Sequence, residues 1–84
     1  MTDLILKPSD LARAFRPGIY KHFKGGLYEA LLVARDSEDR DKEFVVYRSL
    51  EKGHVWARPI AMFFEKVENE GYTGSRFVWV GEKV

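Results

Sequence analysis

The sequence predicts a mainly β domain: a small, strongly bent antiparallel barrel with a short N-terminal helix and a helical turn after Pro59. Candidate strands recur at intervals of about ten residues and are separated by short turns, a spacing typical of small barrels. Aromatic residues make up 14% of the 84 residues, and they supply the large buried areas that a small core needs. We therefore expect residues 1–84 to form a single domain.

Residues 1–18 are predicted to form an N-terminal arm that contains the short helix. Ser9 or Asp10 can cap a helix over Leu11–Phe15, because either side chain can accept a hydrogen bond from a free amide of the first turn. Pro17 then ends the helix. A helix this short does not persist alone in water, so it is expected to dock on the rest of the domain.

Residues 19–67 are predicted to form the barrel core. Gly25-Gly26 joins the first two strands, and Phe44–Tyr47 is the strongest β signal in the chain. Pro59 has to end the fourth strand or lie at a sheet edge, because it cannot donate a hydrogen bond to a neighbouring strand. The four predicted strands are Ile19–Lys24, Leu27–Arg35, Glu43–Leu50 and Val55–Arg58.

Residues 68–84 are predicted to form a turn followed by an edge strand. The helical turn just before them is predicted by apolar residues at helical spacing, namely Ile60, Phe63, Phe64 and Val67. Gly71–Ser75 is predicted as a turn, and Phe77–Val80 as the last strand. Because an uncovered edge strand pairs readily with another copy, we expect a homodimer through Phe77–Val80.

The composition excludes several classes of protein. There is no cysteine, so disulfides and thiolate metal sites are excluded. No segment approaches the ~20 apolar residues of a membrane span, and the N-terminus does not resemble a secretory signal, so we expect a cytoplasmic protein without membrane contact. His22 and His54 are the only histidines, and no metal-ligand spacing surrounds them, so neither a metal nor a cofactor is expected.

Three motifs stand in fixed order within the predicted core: Tyr-x-His-x-Lys-Gly-Gly-x-Tyr at 20–28, Val-Val-Tyr-Arg at 45–48 and Trp-x-Arg-Pro-x-x-x-Phe at 56–63. In this order and spacing they resemble the small bacterial domain-of-unknown-function family 1653, over Ile19 to Val67. The resemblance implies a compact, mainly β module similar to an SH3-like barrel, and no assigned activity. The family's His-Ser-Glu-Thr-like turn is replaced here by Asp36–Asp39, so a role for that histidine does not carry over.

The glycine turn is the first candidate site. Its two glycines allow positive φ and can expose backbone amides beside Lys24 and His22, an arrangement that could hold a phosphate or a carboxylate. The alternative is that Gly25 and Gly26 serve only the geometry of a hairpin turn. His22 would then be a partly buried, hydrogen-bonded strand residue.

Trp56 and Arg58 form the second candidate site. In an extended strand the two side chains point to the same face, where they could form a stacked cation–aromatic surface for a peptide, a base or a carboxylate. The alternative is that Trp56 is a core residue and Arg58 pairs with an acid such as Glu43 or Glu65. Neighbouring tyrosines would complete the surface: Tyr28 and Tyr47.

The motifs contain no catalytic set, so we expect a non-catalytic binding module for a protein segment or a small ligand. The predicted ligand-binding residues are His22, Lys24, Gly25, Gly26, Tyr28, Tyr47, Trp56 and Arg58. An alternative is single-stranded nucleic-acid or nucleotide binding through the basic stretch Arg13–Lys24, against which the net charge of +1 weighs. A third is a small enzyme whose pocket forms between subunits, around His22, Lys24 and Arg58.

Overall fold

A computed structural model describes residues 7–83, and strands predominate in it, as predicted. The helices are α1 (Asp10–Ala14) and α2 (Ile60–Phe63). The strands are β1 (Gly18–His22), β2 (Leu27–Arg35), β3 (Glu43–Ser49), β4 (Val55–Pro59), β5 (Lys66–Asn69), β6 (Tyr72–Ser75) and β7 (Phe77–Gly81). Neither helix is long and apolar enough to cross a membrane.

Five of the strands form one antiparallel sheet in the order β4-β3-β2-β1-β7, and β5 and β6 pair separately as a hairpin. The sheet does not close, because β4 and β7 remain at its two edges. The predicted antiparallel fold is confirmed, whereas the description as a barrel holds only approximately. Pro59 ends β4 at an edge, where its missing N–H costs no ladder hydrogen bond.

Two irregularities bend the sheet. In β2, Ala30 pairs with Tyr47 but Leu32 pairs with Val46, so Leu31 is an extra residue in the strand. The pairing of β1 with β7 shifts in the same way after Ile19. Such bulges increase the twist and curvature of a strand, and here they curve the sheet around the side chains of its inner face, which we define as the face that carries the core.

The core is aromatic and centres on Phe63, which is fully buried. Its ring stacks on Phe77 with 4.4 Å between centroids. It also meets Tyr20 and Tyr47 edge to face, at 5.2 Å and 5.6 Å. Because Phe63 belongs to α2, this four-residue helix covers part of the inner face of the sheet.

The described part of the N-terminal arm, from residue 7 onward, docks through Ser9. Its Oγ accepts a hydrogen bond from the Ala12 N–H at 3.1 Å, which confirms the predicted cap of α1. Its own N–H donates to Oε2 of Glu43 at 3.1 Å, across the arm to β3. Ala12 and Phe15 pack against the core, so the short helix is held by tertiary contacts, as its length requires.

Two local predictions in the C-terminal part are wrong. Val67 belongs to β5 rather than to a helix, because α2 ends at Phe63 and the chain then pairs with β6. Gly71–Ser75 is not a turn throughout. The turn consists of Glu70 and Gly71, whose φ angles of 48° and 86° suit a tight hairpin, and strand β6 begins at Tyr72.

The last strand is an edge strand, as predicted, and among the described strands it pairs only with β1. Phe77 is buried in the core, and Trp79 is half-buried against it. The exposed residues of β7 are Val78 and Val80. A contact between two copies at this edge would therefore use the two valines, not the aromatic residues.

Candidate functional site

A pocket of about 240 Å³ opens on the inner face of the sheet, and we call it the inner-face pocket. All five strands of the sheet contribute to its lining, which consists of His22, Tyr28, Tyr47, Trp56, Arg58 and Phe77. Every one of these residues except Phe77 was predicted as a ligand-binding residue. The structure thus brings together residues that are widely separated along the sequence.

The pairing of the strands explains this convergence. Trp56 and Arg58 lie two residues apart in β4 and share one face, as the sequence predicts. Tyr47 pairs directly with Trp56 across β3 and β4, and His22 pairs with Phe77 across β1 and β7. Side chains that face each other in this way lie close enough to form one surface.

The guanidinium group of Arg58 is held by a tyrosine. Its Nε donates a hydrogen bond to Oη of Tyr47 at 3.2 Å. Its Cζ lies 6.0 Å from the ring centre of Phe77, at the limit of a cation–π contact. This hydrogen bond engages only Nε, so the two terminal nitrogens of the guanidinium are not used by it.

The predicted alternative, in which Arg58 pairs with an acid, is wrong for the part of the chain that the structure describes. Glu43 pairs with Arg35 at 3.4 Å, and Glu65 pairs with Arg76. No carboxylate between residues 7 and 83 forms an ion pair with Arg58. The two acids are satisfied elsewhere because each lies beside an arginine in its own part of the fold.

His22 is half-buried, and its ring is oriented by the backbone. Nδ1 accepts a hydrogen bond from the Lys24 N–H at 3.1 Å. In the neutral ring the proton therefore lies on Nε2. The ring packs edge to face against Phe77, with 4.9 Å between centroids, and against Tyr28 at 6.2 Å.

The surroundings of His22 favour the neutral imidazole. Burial lowers its pKa from the usual value near 6.5, and the positive charges of Arg76, Arg58 and Lys24 lower it further. All three charged neighbours that shift this pKa are cations. The inner-face pocket therefore combines a neutral histidine with a local positive potential.

Trp56 forms the rim of the pocket. It is 51% exposed, so the alternative in which it is a core residue is wrong. The reason is that β4 is an edge strand, which leaves one side of the indole open to solvent. An exposed indole beside a guanidinium offers both a flat apolar surface and a hydrogen-bond donor to a ligand.

The glycine turn lies outside the lining of the pocket. Gly25 and Gly26 have φ angles of 102° and 86°, which a hairpin turn requires here. The Gly25 N–H donates to the His22 carbonyl at 2.8 Å, so this amide already has a partner in the turn. Lys24 extends towards Phe23, with Nζ 5.7 Å from the ring centre. The structure therefore favours the alternative that the glycines serve the turn.

Comparison with known proteins gives the family. The model of a family described as protein of unknown function (DUF1653) matches residues 18–79. The chain belongs to the DUF1653 family. A crystal structure of a DUF1653 protein from Bordetella bronchiseptica is similar to it, with 34% sequence identity, a TM-score of 0.77, and coverage of 84% of this chain and 94% of that chain. No curated protein matches the sequence.

The DUF1653 match confirms the resemblance and extends it. The motifs predicted a similarity that ends at Val67, whereas the match continues to residue 79 and so includes most of β7. The whole lining of the inner-face pocket, from His22 to Phe77, falls inside the matched residues. The pocket is thus part of the DUF1653 module itself.

Phe77 is the pocket residue that the sequence did not reveal in this DUF1653 domain. Its strand was predicted, but nothing in the sequence shows that β7 pairs with β1 and so places Phe77 opposite His22. The sequence of β7, Phe-Val-Trp-Val-Gly, is apolar at four successive positions, so no alternation of polar and apolar residues marks its covered face. Within residues 7–83, no three His, Asp or Glu side chains lie close enough together to hold a metal ion.

Proposed function

We propose that this DUF1653 domain is a non-catalytic binding module that holds a protein segment or a small ligand in the inner-face pocket. The observation that carries the proposal is the convergence of residues from three separate motifs on one pocket. There, a half-exposed indole lies beside a guanidinium that forms no ion pair within the described chain. Flat apolar walls with a few fixed polar groups are typical of binding sites.

The size of the pocket narrows the ligand. Sites for drug-sized molecules usually measure about 300–1,000 Å³, and this pocket has about 240 Å³. It therefore suits a single ring, an amino-acid side chain or the end of a chain better than a whole nucleotide. A larger partner would place only one such group in the pocket.

The environment of His22 supports binding rather than catalysis. A general base requires a substrate proton within reach, and its imidazole is commonly oriented by an acid. Here Nδ1 of His22 is occupied by the backbone N–H of Lys24. Among the described residues, the lining also contains no serine, threonine, aspartate or glutamate.

The basic stretch that suggested nucleic-acid binding is divided among different surroundings. Arg13 pairs with Asp10 within α1, and Arg16 stacks on Trp79 with Cζ 3.4 Å from the ring centre. Lys21 is exposed, next to the half-buried His22 of the same strand. These charged side chains do not line the inner-face pocket, and for this reason we do not propose nucleic-acid binding. The titration tests it as the alternative.

An amide NMR titration of the isotopically labelled domain at low salt tests the proposal. The probes are short peptides, small aromatic compounds, mononucleotides and mixed single-stranded oligonucleotides. We expect saturable shifts of the amides around the inner-face pocket with at least one peptide or aromatic probe. Shifts only with oligonucleotides, confined to Arg13–Lys24 and lost at high salt, would instead establish the nucleic-acid alternative.

Two substitutions in β4 provide a matched pair for the same titration. Trp56→Ala removes the flat rim of the pocket and is expected to weaken binding at least about fivefold, because aromatic contacts contribute about 1 kcal/mol beyond the area they bury. Val55→Ala changes the neighbouring exposed residue, which does not line the pocket, and should leave binding unchanged. Equal affinities of the two variants would contradict the proposed site.

A further inference from the structure

The charges of the inner-face pocket are unbalanced. Four other arginines in the described chain have a carboxylate partner: Arg13, Arg35, Arg48 and Arg76. Within residues 7–83, the guanidinium of Arg58 has only the phenol oxygen of Tyr47 as a hydrogen-bond partner. A half-buried guanidinium without a counter-charge attracts an anion more strongly than an exposed one does, because water screens it less.

The other groups around the pocket do not offset this charge. The cations Arg76 and Lys24 act on His22 together with Arg58, and all three lower its pKa. The remaining lining residues are aromatic and uncharged. Such aromatic walls could bind a cation, but the guanidinium of Arg58 would repel it.

We propose that the inner-face pocket is selective for a carboxylate attached to a flat apolar group, an inference that rests on the proposed function. In this arrangement the terminal nitrogens of Arg58 bind the carboxylate, and the apolar group stacks on Trp56. A guanidinium matches the two oxygens of a carboxylate in a planar, bidentate geometry. In the part of the chain that the structure describes, the lining contains one cation only, which balances a monoanion, whereas a phosphate dianion is usually met by several cations or backbone amides.

The test uses matched acids and amides in the amide NMR titration. Benzoate and benzamide have the same ring and nearly the same shape, but only benzoate carries a charge. We expect benzoate to bind at the inner-face pocket at least tenfold more tightly than benzamide, the ratio that corresponds to about 1.4 kcal/mol. Phenyl phosphate binding more tightly than benzoate would contradict the assignment of a carboxylate.

Substitutions then assign the selectivity to Arg58. Arg58→Gln should abolish the difference between benzoate and benzamide, and Arg58→Lys should retain part of it, because a lysine keeps the charge but not the planar fork. Arg48→Gln is the control, since Arg48 lies next to Tyr47 in β3 but is exposed and pairs with Glu29 outside the pocket. Selectivity that survives Arg58→Gln would overturn the inference. If a variant fails to fold, the affinities of the wild-type protein for benzoate and for benzamide still decide whether the inference holds.

The source of the carboxylate is distinguished by a second pair, N-acetyl-glycyl-phenylalanine and its C-terminal amide. If the peptide acid binds more tightly than its amide and more tightly than benzoate, the result supports the C-terminus of a protein chain as the ligand. If the peptide acid binds more weakly than benzoate, the result supports a small aromatic acid as the ligand. Equal binding of acids and amides at the pocket would overturn the carboxylate inference while leaving the binding module intact. Absence of pocket shifts with every probe of both titrations would overturn the proposed function itself.

Discussion

At Gly18 the backbone has a φ of +143° and passes close to the end of β7. A Cβ added there would lie 2.6 Å from the carbonyl oxygen of Gly81 and 2.7 Å from Nε1 of Trp79. The first of these atoms belongs to the backbone and cannot move without disturbing the pairing of β1 with β7. Glycine is therefore required at this position for two reasons, conformation and space.

We expect Gly18→Ala to lower the free energy of unfolding by about 3 kcal/mol or more, because backbone strain and a steric clash add at this residue. Gly25→Ala is the control. Gly25 also has a positive φ, of 102°, but no atom lies within 4 Å of the added Cβ, so only the backbone strain of about 1–2 kcal/mol is expected. Urea unfolding of the two variants measures the difference, and equal losses would show that the close approach at Gly18 does not matter.

At the scale of single residues, most of the candidate site could be predicted from the sequence. The spacing of Trp56 and Arg58 places both side chains on one face of any extended strand, and the structure confirms this. The exposure of Trp56 was not predictable, because it depends on β4 being an edge strand. The same holds for Phe77, whose place in the pocket depends on a strand pairing that spans most of the chain.

Among the elements, helix α1 is fixed to the sheet by a buried carboxylate. Glu43 in β3 accepts a hydrogen bond from the Ser9 N–H and pairs with Arg35. The hydrogen bonds from Ser9 lower its pKa below the usual value near 4.5, and the charge of Arg35 lowers it further. A carboxyl group whose pKa is lowered by folding stabilises the fold above its unfolded pKa, and this contribution is lost as the pH falls through the folded pKa.

We therefore expect the free energy of unfolding to decrease as the pH falls below about 4.5, the ordinary pKa of Glu43. Glu43→Gln should lower stability at pH 7 by about 1–3 kcal/mol, because it removes a charged partner of buried hydrogen bonds. It should also flatten the profile between pH 5 and pH 3. Urea unfolding at these pH values is the measurement, with Glu68→Gln in the exposed part of β5 as the control. An unchanged acid profile in Glu43→Gln would contradict the role of this carboxylate.

Local patterns predicted both helices and five of the described strands, and they missed the two shortest strands. The strands β2 and β3 were predicted almost to the residue, because each has a long β-forming sequence. The four-residue strands β5 and β6 were missed. Helical spacing over Ile60–Val67 suggested a longer helix, but pairing with β6 takes precedence over a weak local preference.

For the whole molecule, the open sheet leaves two edges, and these edges decide how copies could associate. The exposed residues of the β7 edge are Val78 and Val80, and Val55 is exposed at the β4 edge. An open antiparallel edge can pair with the same edge of a second copy in a symmetric contact. The homodimer through Phe77–Val80 thus remains a prediction, now with Val78 and Val80 as its contact residues.

We expect sedimentation velocity to show a dimer at micromolar concentration and Val80→Lys to give a monomer, because a lysine on an edge strand opposes pairing. Val55→Lys is the matched control, since Val55 is 60% exposed and Val80 is 53% exposed. It lies at the opposite edge and should leave the dimer intact. A monomeric wild-type protein over the whole concentration range would contradict the prediction. A dimer that is abolished only by Val55→Lys would show that the copies associate through the β4 edge instead.

The sequence by itself determined the mainly β class, the strands β1 to β4 and β7, the capped helix and the DUF1653 resemblance, because these depend on residue types and spacings within short segments. It also determined that Trp56 and Arg58 share a face. Only the tertiary structure decided that the sheet stays open, that Phe77 completes the pocket, and that Arg58 has no acid beside it in the described chain. These features depend on which strands become neighbours, and the pairing of β1 with β7 joins segments that lie far apart in the sequence, so no local pattern specifies it.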